Sequence, residues 1–287
     1  TFYALTAGNL NGSDVVDGGK GTDKIVATVA TAAATLRPIL KNMETANIEL
    51  SQGTAGTAHT LTLDFQDSTG LKTVDVENIS ATNGSEDTVA IKGISTDVAV
   101  EISDENASGN LDNNFTVTYD AITGTSDSAT VTMSSTSAAT TFGTLTVAGI
   151  ETLTVDSTGG TDATYTVTAA DATTLNIKAS AASGGTVTTG AAKATTLNIT
   201  SADDITVDDA GAASAKLTSV VIDSTTANKT VTAINLTPTD STTAIDTWTI
   251  TTKGVGKVVA DFDGDWGAQS DTNADVFKVD ASANSGG

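Results

Sequence analysis

The residues with the clearest chemical signature form the stretch Gly18–Val26, which reads Gly-Gly-Lys-Gly-Thr-Asp-Lys-Ile-Val. It matches the nonapeptide G-G-x-G-x-D-x-U-x, in which U is aliphatic, at every fixed position. Glycines permit a tight turn with positive φ and expose carbonyl oxygens, while Asp23 adds a hard anionic oxygen and Ile25 turns inward as a short strand. Calcium prefers such oxygen ligands, so the spacing predicts a calcium-binding turn of a parallel β-roll.

The residues just before this stretch, Gly12–Asp17, fit the last six positions of a preceding repeat in the same phase. Asp14 and Asp23 are therefore the predicted carboxylate ligands, and Asp17 is expected to face solvent. Carbonyl oxygens near four glycines would support them, namely Gly12, Gly18, Gly19 and Gly21. The alternative interpretation is an ordinary glycine-rich turn between two strands.

A second group of carboxylates lies near the other end of the sequence. Asp261, Asp263 and Asp265 alternate around a glycine, and this spacing can direct carboxylates to one ion. Asp271 and Asp275 follow, and Asp275 belongs to a degenerate half-repeat of the opening kind. We predict that these aspartates also bind calcium; the alternative is an exposed acidic turn.

Composition limits the classes of function that the 287 residues can have. The formal net charge is −22, from 35 acidic and 13 basic residues, which argues against nucleic-acid binding and fits a binder of divalent cations. The absence of cysteine excludes disulfides and thiolate metal sites. The sequence contains no run of about 18 apolar residues, so it predicts no transmembrane helix. The chain starts at Thr1 without a signal peptide, and we expect a fragment or processed product of a longer chain.

A 22-residue repeat predicts the architecture. Thr173–Ile177 reads TTLNI and recurs as Thr195–Ile199, with related segments one step earlier at Glu151–Val155 and one step later at Thr218–Ile222. Each copy alternates apolar and polar residues, as a half-buried strand does, and a second short strand follows within each repeat. Strand, turn, strand and turn at a fixed period are typical of one coil of a solenoid. Residues 71–147 contain similar strands at less regular spacing, which antiparallel sandwiches also give.

Two phrases carry a resemblance to a known family. The nonapeptide Gly18–Val26 and the phrase Gly149–Val155, which reads GIETLTV, are similar to recurrent motifs of RTX (repeat-in-toxin) proteins exported by type I secretion. Within that group the chain resembles bacterial surface-layer proteins of the Caulobacter and Campylobacter kind. Asn42–Ile48 is a degenerate copy of the second phrase. The chain departs from the family in having very few perfect nonapeptides.

This resemblance implies an extracellular, calcium-dependent β-solenoid on the bacterial cell surface. We expect an all-β chain, a right-handed parallel β-helix or β-solenoid with RTX-like calcium-binding turns at its ends. Its parts would be a calcium-binding segment at 1–40, coils of about 22 residues at 41–258 (most regular at 150–235), and an acidic terminal segment at 259–287. The expected cofactor is Ca²⁺, and sites of the β-roll kind would use Asp14 and Asp23 for different ions.

The leading hypothesis is a structural protein that assembles with copies of itself into a two-dimensional lattice, with lipopolysaccharide or another cell-surface component as a possible anchor. We expect no enzyme activity, because His59 is the single histidine and has no partner at a catalytic spacing. Glu44 and Glu151 could form a carboxylate pair of the kind that hydrolyses glycosides. Because both belong to the same recurrent phrase, we expect them instead to be equivalent positions of a repeat, at a turn or strand start. The alternative function is an RTX adhesin or an ice- or glycan-binding solenoid that uses aligned threonines.

Overall fold

The computed structural model describes residues 1–6, 10–12, 14–30, 34–51, 60–78, 87–104, 113–120, 122–135, 140–159, 162–180, 184–209, 217–236, 247–262 and 276–286. The chain is all-β, and its strands stack in parallel as a β-solenoid. This confirms the predicted solenoid class. No helix in the described ranges is long and apolar enough to cross a membrane.

The larger sheet has twelve parallel strands that follow chain order with one strand skipped at most steps. They are β1 (Phe2–Ala4), β3 (Lys24–Ala30), β6 (Thr45–Ser51), β8 (Thr73–Asn78), β10 (Ala99–Asp104), β12 (Ser128–Ser135), β14 (Thr152–Gly159), β16 (Thr174–Ala179), β18 (Thr196–Ser201), β20 (Ser219–Ser224), β22 (Thr247–Gly254) and β24 (Val276–Asn284).

The strands of a ten-stranded parallel sheet alternate with these along most of the chain, so that each coil contributes one strand to each sheet. They are β4 (Ala34–Leu36), β7 (Thr60–Asp64), β9 (Thr88–Ile94), β11 (Asn114–Tyr119), β13 (Thr140–Ala148), β15 (Ala163–Thr168), β17 (Gly185–Gly190), β19 (Ile205–Asp208), β21 (Thr230–Leu236) and β23 (Lys257–Phe262). Two further short strands, β2 (Val15–Asp17) and β5 (Ile39–Lys41), pair with each other in parallel.

The register of the larger sheet confirms the predicted repeat. Leu153 of β14 pairs with Leu175 of β16, Leu175 pairs with Leu197 of β18, and Leu197 pairs with Val220 of β20. Because inward and outward residues alternate along a strand, this register places every aliphatic member of the column inside. All four side chains are almost fully buried.

Residues 71–147 follow the same parallel architecture. Strand β8 pairs with β10, and β10 with β12, in the larger sheet, while β9, β11 and β13 pair in the other sheet. The antiparallel sandwich is therefore excluded for this region. Its irregular spacing arises because the connections between coils differ in length, whereas the paired segments keep a common register.

One hydrophobic core lies between the two sheets and runs from Leu10 to Ile250. It is built mainly from Val, Ile, Leu and Ala, as expected for strands whose inner face is narrow and whose neighbours stack in register. Polar side chains also form ladders on the outer face: the Asn198 amide donates to Asn176 Oδ1 at 2.8 Å, and the Asn176 amide donates to Thr154 Oγ1 at 3.1 Å. The repeat thus fixes both the buried and the exposed columns.

Candidate metal centre

The predicted nonapeptide forms the turn between β2 and β3. Strand β2 ends at Asp17, and β3 starts at Lys24 and pairs with β1 and β6 of the larger sheet. Ile25 points into the core with 2% of its surface exposed. The predicted arrangement of a glycine turn followed by a short, inward-facing aliphatic strand is confirmed.

Each glycine of this turn has a physical reason. Gly19 and Gly21 have φ values of 79° and 121°, in the region that L side chains rarely adopt. Gly18 is required for space, because a Cβ there would lie 2.7 Å from Asp23 Cβ and closer still to the Asn42 carbonyl oxygen. The Gly18 amide donates to the Lys41 carbonyl at 2.9 Å, which anchors the turn to the next coil.

Asp23 lies where this turn meets the start of β6. Its amide donates to Glu44 Oε2 at 2.6 Å, and its carbonyl oxygen accepts from the amides of Glu44 and Thr45 at 3.0 and 3.1 Å. Its carboxylate lies next to the turn glycines, with Oδ2 3.9 Å from where a Cβ on Gly21 would be. A second carboxylate, that of Glu44, is therefore held beside the predicted ligand Asp23.

Glu151 repeats this arrangement further along the solenoid. The Asp127 amide donates to Glu151 Oε2 at 3.0 Å, and the Glu151 amide donates back to the Asp127 carbonyl at 3.1 Å. Glu44 and Glu151 each immediately precede a strand of the larger sheet, β6 and β14. The prediction that they are equivalent positions at a strand start is confirmed. The sequence motif does not indicate that Glu44 lies beside Asp23, because this contact joins two successive coils.

The structure places Asp14 in a separate local turn. Its Oδ2 accepts from the Asn11 amide at 2.7 Å, and its carbonyl accepts from the Ile39 amide at 2.8 Å. Gly12 is exposed in the same turn. The cavity of about 250 Å³ beside Asp14 is lined mainly by apolar residues, including Phe2 and Leu10, so it offers a cation few further oxygens. Asp14 and Asp23 immediately precede different strands, β2 and β3.

Asp17 is exposed, as predicted, and it stabilises the turn itself. Its Oδ1 accepts from the Asn42 amide group and from the Gly19 main-chain amide, both at 2.9 Å. These hydrogen bonds, first that from Asn42, hold the pKa of the Asp17 carboxyl below its usual range. Asn42 has a φ of 49°, a left-handed conformation that asparagine tolerates better than most residues.

The structure describes part of the predicted C-terminal site. Asp261 lies in β23 and is exposed. Asp263, Asp265, Asp271 and Asp275 lie outside the described residues, as does His59.

Two adjacent carboxylates elsewhere in the solenoid, those of Asp203 and Asp204, are paired with a lysine side chain. The Lys229 ammonium forms ion pairs with both carboxylates, and the Thr230 amide donates to Asp204 Oδ1 at 2.7 Å. Hydrogen bonding to Asp203 raises the pKa of Lys229.

The donor atoms of the β2–β3 turn are of the type that calcium prefers, but they are too few for a complete site. Asp23, Glu44 and the turn carbonyls supply only hard oxygen atoms. Within the described ranges, however, no three His, Cys, Asp or Glu side chains converge as a metal-binding group. Comparisons of the chain with models of protein families, with curated proteins and with solved structures found no match.

Proposed function

We propose that this chain is a structural surface-layer protein that assembles with calcium into a two-dimensional lattice on the bacterial cell surface. The observation that carries the proposal is the β2–β3 turn. Its nonapeptide glycines adopt positive φ at Gly19 and Gly21, and it brings Asp23 next to Glu44 inside a continuous solenoid. A calcium-type turn built into a rigid scaffold couples ion binding to the order of the scaffold.

Calcium at this turn would be held by Asp23 and Glu44 with carbonyl oxygens of Gly18 and Gly21. The ion would supply positive charge to a region where the Glu44 carboxylate already lies against the main chain of Asp23. Binding of calcium to the folded chain then becomes free energy of folding or assembly, because the unfolded chain does not hold these oxygens together.

Carboxylates crowd one another on the outer face of the larger sheet as well. Glu49 of β6 pairs with Glu77 of β8, and Asp75 of β8 pairs with Glu101 of β10, so like charges occupy neighbouring strands in register. Directly opposed like charges destabilise a sheet, by up to about 1 kcal/mol per pair. We call Glu49, Asp75, Glu77 and Glu101 the acidic face. A divalent cation shared between this face and a neighbouring copy would remove the repulsion.

The stacked coils also suit a structural subunit that has to keep its shape within a lattice. Twelve strands stacked at about 4.8 Å give the larger sheet a length of about 50 Å along the coil axis. Each coil contacts mainly its neighbours, through main-chain ladders and columns of buried side chains. Such an element holds its shape over its length, and lattice subunits need this property.

Electron microscopy of the purified chain in calcium and in EDTA tests the proposal. Ordered sheets are expected in calcium and none in EDTA. Asp23→Asn should need a higher calcium concentration to form them, whereas Asp97→Asn, which removes a carboxylate already paired with Lys72 at 2.7 Å, should behave as wild type. Sheets that form equally well in EDTA would contradict the calcium mechanism, and no ordered assembly in either condition would contradict the lattice.

A second candidate function, an adhesin or an ice- or glycan-binding solenoid, is favoured by one column of hydroxyl residues. Its members pair in register on successive strands of the larger sheet: Ser128, Thr152, Thr174, Thr196, Ser219 and Thr249. Adjacent members lie about 4.8 Å apart, which gives a regular polar array. The test is binding to a glycan array or inhibition of ice growth by wild type and by Thr174→Lys. Activity in wild type that the variant loses would support this function over the lattice.

A further inference from the structure

The outer face of the ten-stranded sheet carries a regular array of threonines. Two of its columns pair in register on successive strands: Thr116, Thr146 and Thr168, and beside them Thr144, Thr166 and Thr188. A third column continues over β17, β19 and β21 with Thr186, Thr206 and Thr232. All nine are partly exposed, whereas the aliphatic and aromatic residues that alternate with them are buried. We call these nine residues the threonine face.

The strands that form the threonine face are almost without charge. Strands β11, β13, β15, β17, β19 and β21 contain a single charged residue, Asp208, whose Oδ1 accepts from the Asn235 side-chain amide at 2.6 Å. The acidic face of the larger sheet, by contrast, places four carboxylates on three neighbouring strands. Two copies with a net charge of −22 repel each other, and a contact through carboxylates would add to this repulsion. The threonine face is a surface through which two copies can meet with little electrostatic cost.

The chemistry of threonine makes this face complementary to itself. A hydroxyl group both donates and accepts hydrogen bonds, so an array of hydroxyls can pair with an identical array. A carboxylate array, in contrast, needs a partner of opposite charge. The threonine methyl groups add apolar surface, and its removal from water favours association. A second copy of the chain therefore satisfies both the polar and the apolar part of each side chain.

The spacing and the area of the face also fit a second copy. The threonines repeat at about 4.8 Å across the strands and about 6.6 Å along them, and a second copy repeats at the same two distances. Six strands span about 29 Å and six residues of a strand about 20 Å, which gives each copy a face of about 570 Å². Two such faces would bury about 1,100 Å², close to the lower limit of about 1,200 Å² for stable complexes. The contact is therefore expected to be weak and reversible.

We propose that the threonine face is a contact between two copies of this chain, packed sheet against sheet about a two-fold axis. Both copies contribute the same residues, so the contact is closed and joins two copies only. The inference rests on the proposed assembly of copies and names one of its contacts. Calcium takes no part in this contact, whereas the β2–β3 turn and the acidic face would depend on the ion.

Sedimentation of the full chain in EDTA provides the first test. Wild type should show an equilibrium between monomer and dimer at protein concentrations up to about 1 mM, and added NaCl should strengthen the dimer because it screens the net charge. Thr166→Lys places a charge near the centre of the face and should raise the dissociation constant about tenfold or more, because the ammonium group would be buried without a partner. The same change lowers the net charge from −22 to −21, which by itself would favour association.

Thr200 supplies the matched control. It is partly exposed like Thr166 but lies on the outer face of the larger sheet, paired with Lys178 and Asp223. Thr200→Lys should therefore leave the dimer at least as stable as in wild type. The chain has no cysteine, so Thr166→Cys and Thr200→Cys each introduce a single thiol. Facing sheets lie about 10 Å apart, too far for a disulfide, and a short bis-maleimide should join two copies of Thr166→Cys but not of Thr200→Cys.

Three results would overturn the inference. They are a chain that stays monomeric in EDTA at high salt, a dimer that Thr166→Lys and Thr200→Lys affect equally, and glycan binding by monomeric wild type that Thr166→Lys abolishes. The last result would assign the face to the second candidate function. Ordered sheets in calcium together with any of them would leave the lattice proposal intact without this contact. A dimer sensitive to Thr166→Lys, with no ordered sheets in calcium, would support the contact and contradict the lattice.

Discussion

Glu44 stabilises the β2–β3 turn through a hydrogen bond whose contribution can be measured without calcium. Its Oε2 accepts the Asp23 amide at 2.6 Å in a partly buried position. Glu44→Ala removes this acceptor and leaves the amide unsatisfied. A hydrogen bond to a charged group contributes about 1.5–3 kcal/mol, whereas a neutral one contributes about 0.5–1.5 kcal/mol. Glu44→Gln keeps a carbonyl acceptor and is therefore expected to cost only about 1 kcal/mol.

Hydrogen exchange of single amides is the appropriate assay, because solenoid coils open locally and one global free energy of unfolding does not describe them. In EDTA, the Asp23 amide should exchange about 10- to 100-fold faster in Glu44→Ala than in wild type, as 1.36 kcal/mol corresponds to tenfold. Glu44→Gln should exchange about fivefold faster.

The equivalent residue supplies the control. Glu151→Ala should accelerate exchange of the Asp127 amide and leave the Asp23 amide unchanged, because each glutamate accepts from the coil before it. The reasoning is refuted if Glu44→Ala leaves Asp23 exchange at the wild-type rate. It is also refuted if the alanine and glutamine variants exchange equally fast, because the retained acceptor would then have no effect.

Three further predictions concern packing, the core and pH. Gly18→Ala should loosen the β2–β3 turn more than Gly12→Ala loosens its own turn, because a Cβ at Gly18 would overlap Asp23 and the Asn42 carbonyl oxygen whereas one at Gly12 would come no closer than 3.5 Å to its neighbours; amide exchange around the two turns compares the variants, and equal effects would contradict the prediction. Leu175→Ala should lower the stability of its coil by about 2–5 kcal/mol, measured by amide exchange in β16 and its neighbours, and a loss below 1 kcal/mol would contradict close packing. Asn42→Gly, which keeps the left-handed backbone, should raise the pKa of Asp17 towards its ordinary value, and carboxyl NMR titration measures it. Because the folded-state pKa of Asp17 is depressed, its stabilisation is present above its unfolded-state pKa and lost as pH falls through the folded-state value; an unchanged pKa in the variant would contradict this.

The candidate site was only partly predictable. The nonapeptide pattern located Asp23 and the glycines, since Gly19 and Gly21 meet a local requirement for positive φ that short-range sequence determines, although Gly18 is also needed to avoid Asn42 of the next coil. Asp14 has the same repeat phase, yet its carboxylate binds the Asn11 amide and its cavity is largely apolar. The phrase that Glu44 shares with Glu151 predicts only a strand-start role, because the contact between Glu44 and Asp23 depends on how one coil lies on the next.

The sequence by itself determined that the chain is a β-solenoid, because the column of Leu153, Leu175, Leu197 and Val220 repeats at nearly constant spacing and alternates with polar residues. The tertiary structure alone decided that the irregular half is parallel rather than antiparallel, since short strands of either kind have the same pattern. It also decided which carboxylates meet. Asp127, Glu151 and the buried Tyr119 line one cavity because stacking brings together residues of successive coils, and variable connection lengths conceal that proximity in the sequence.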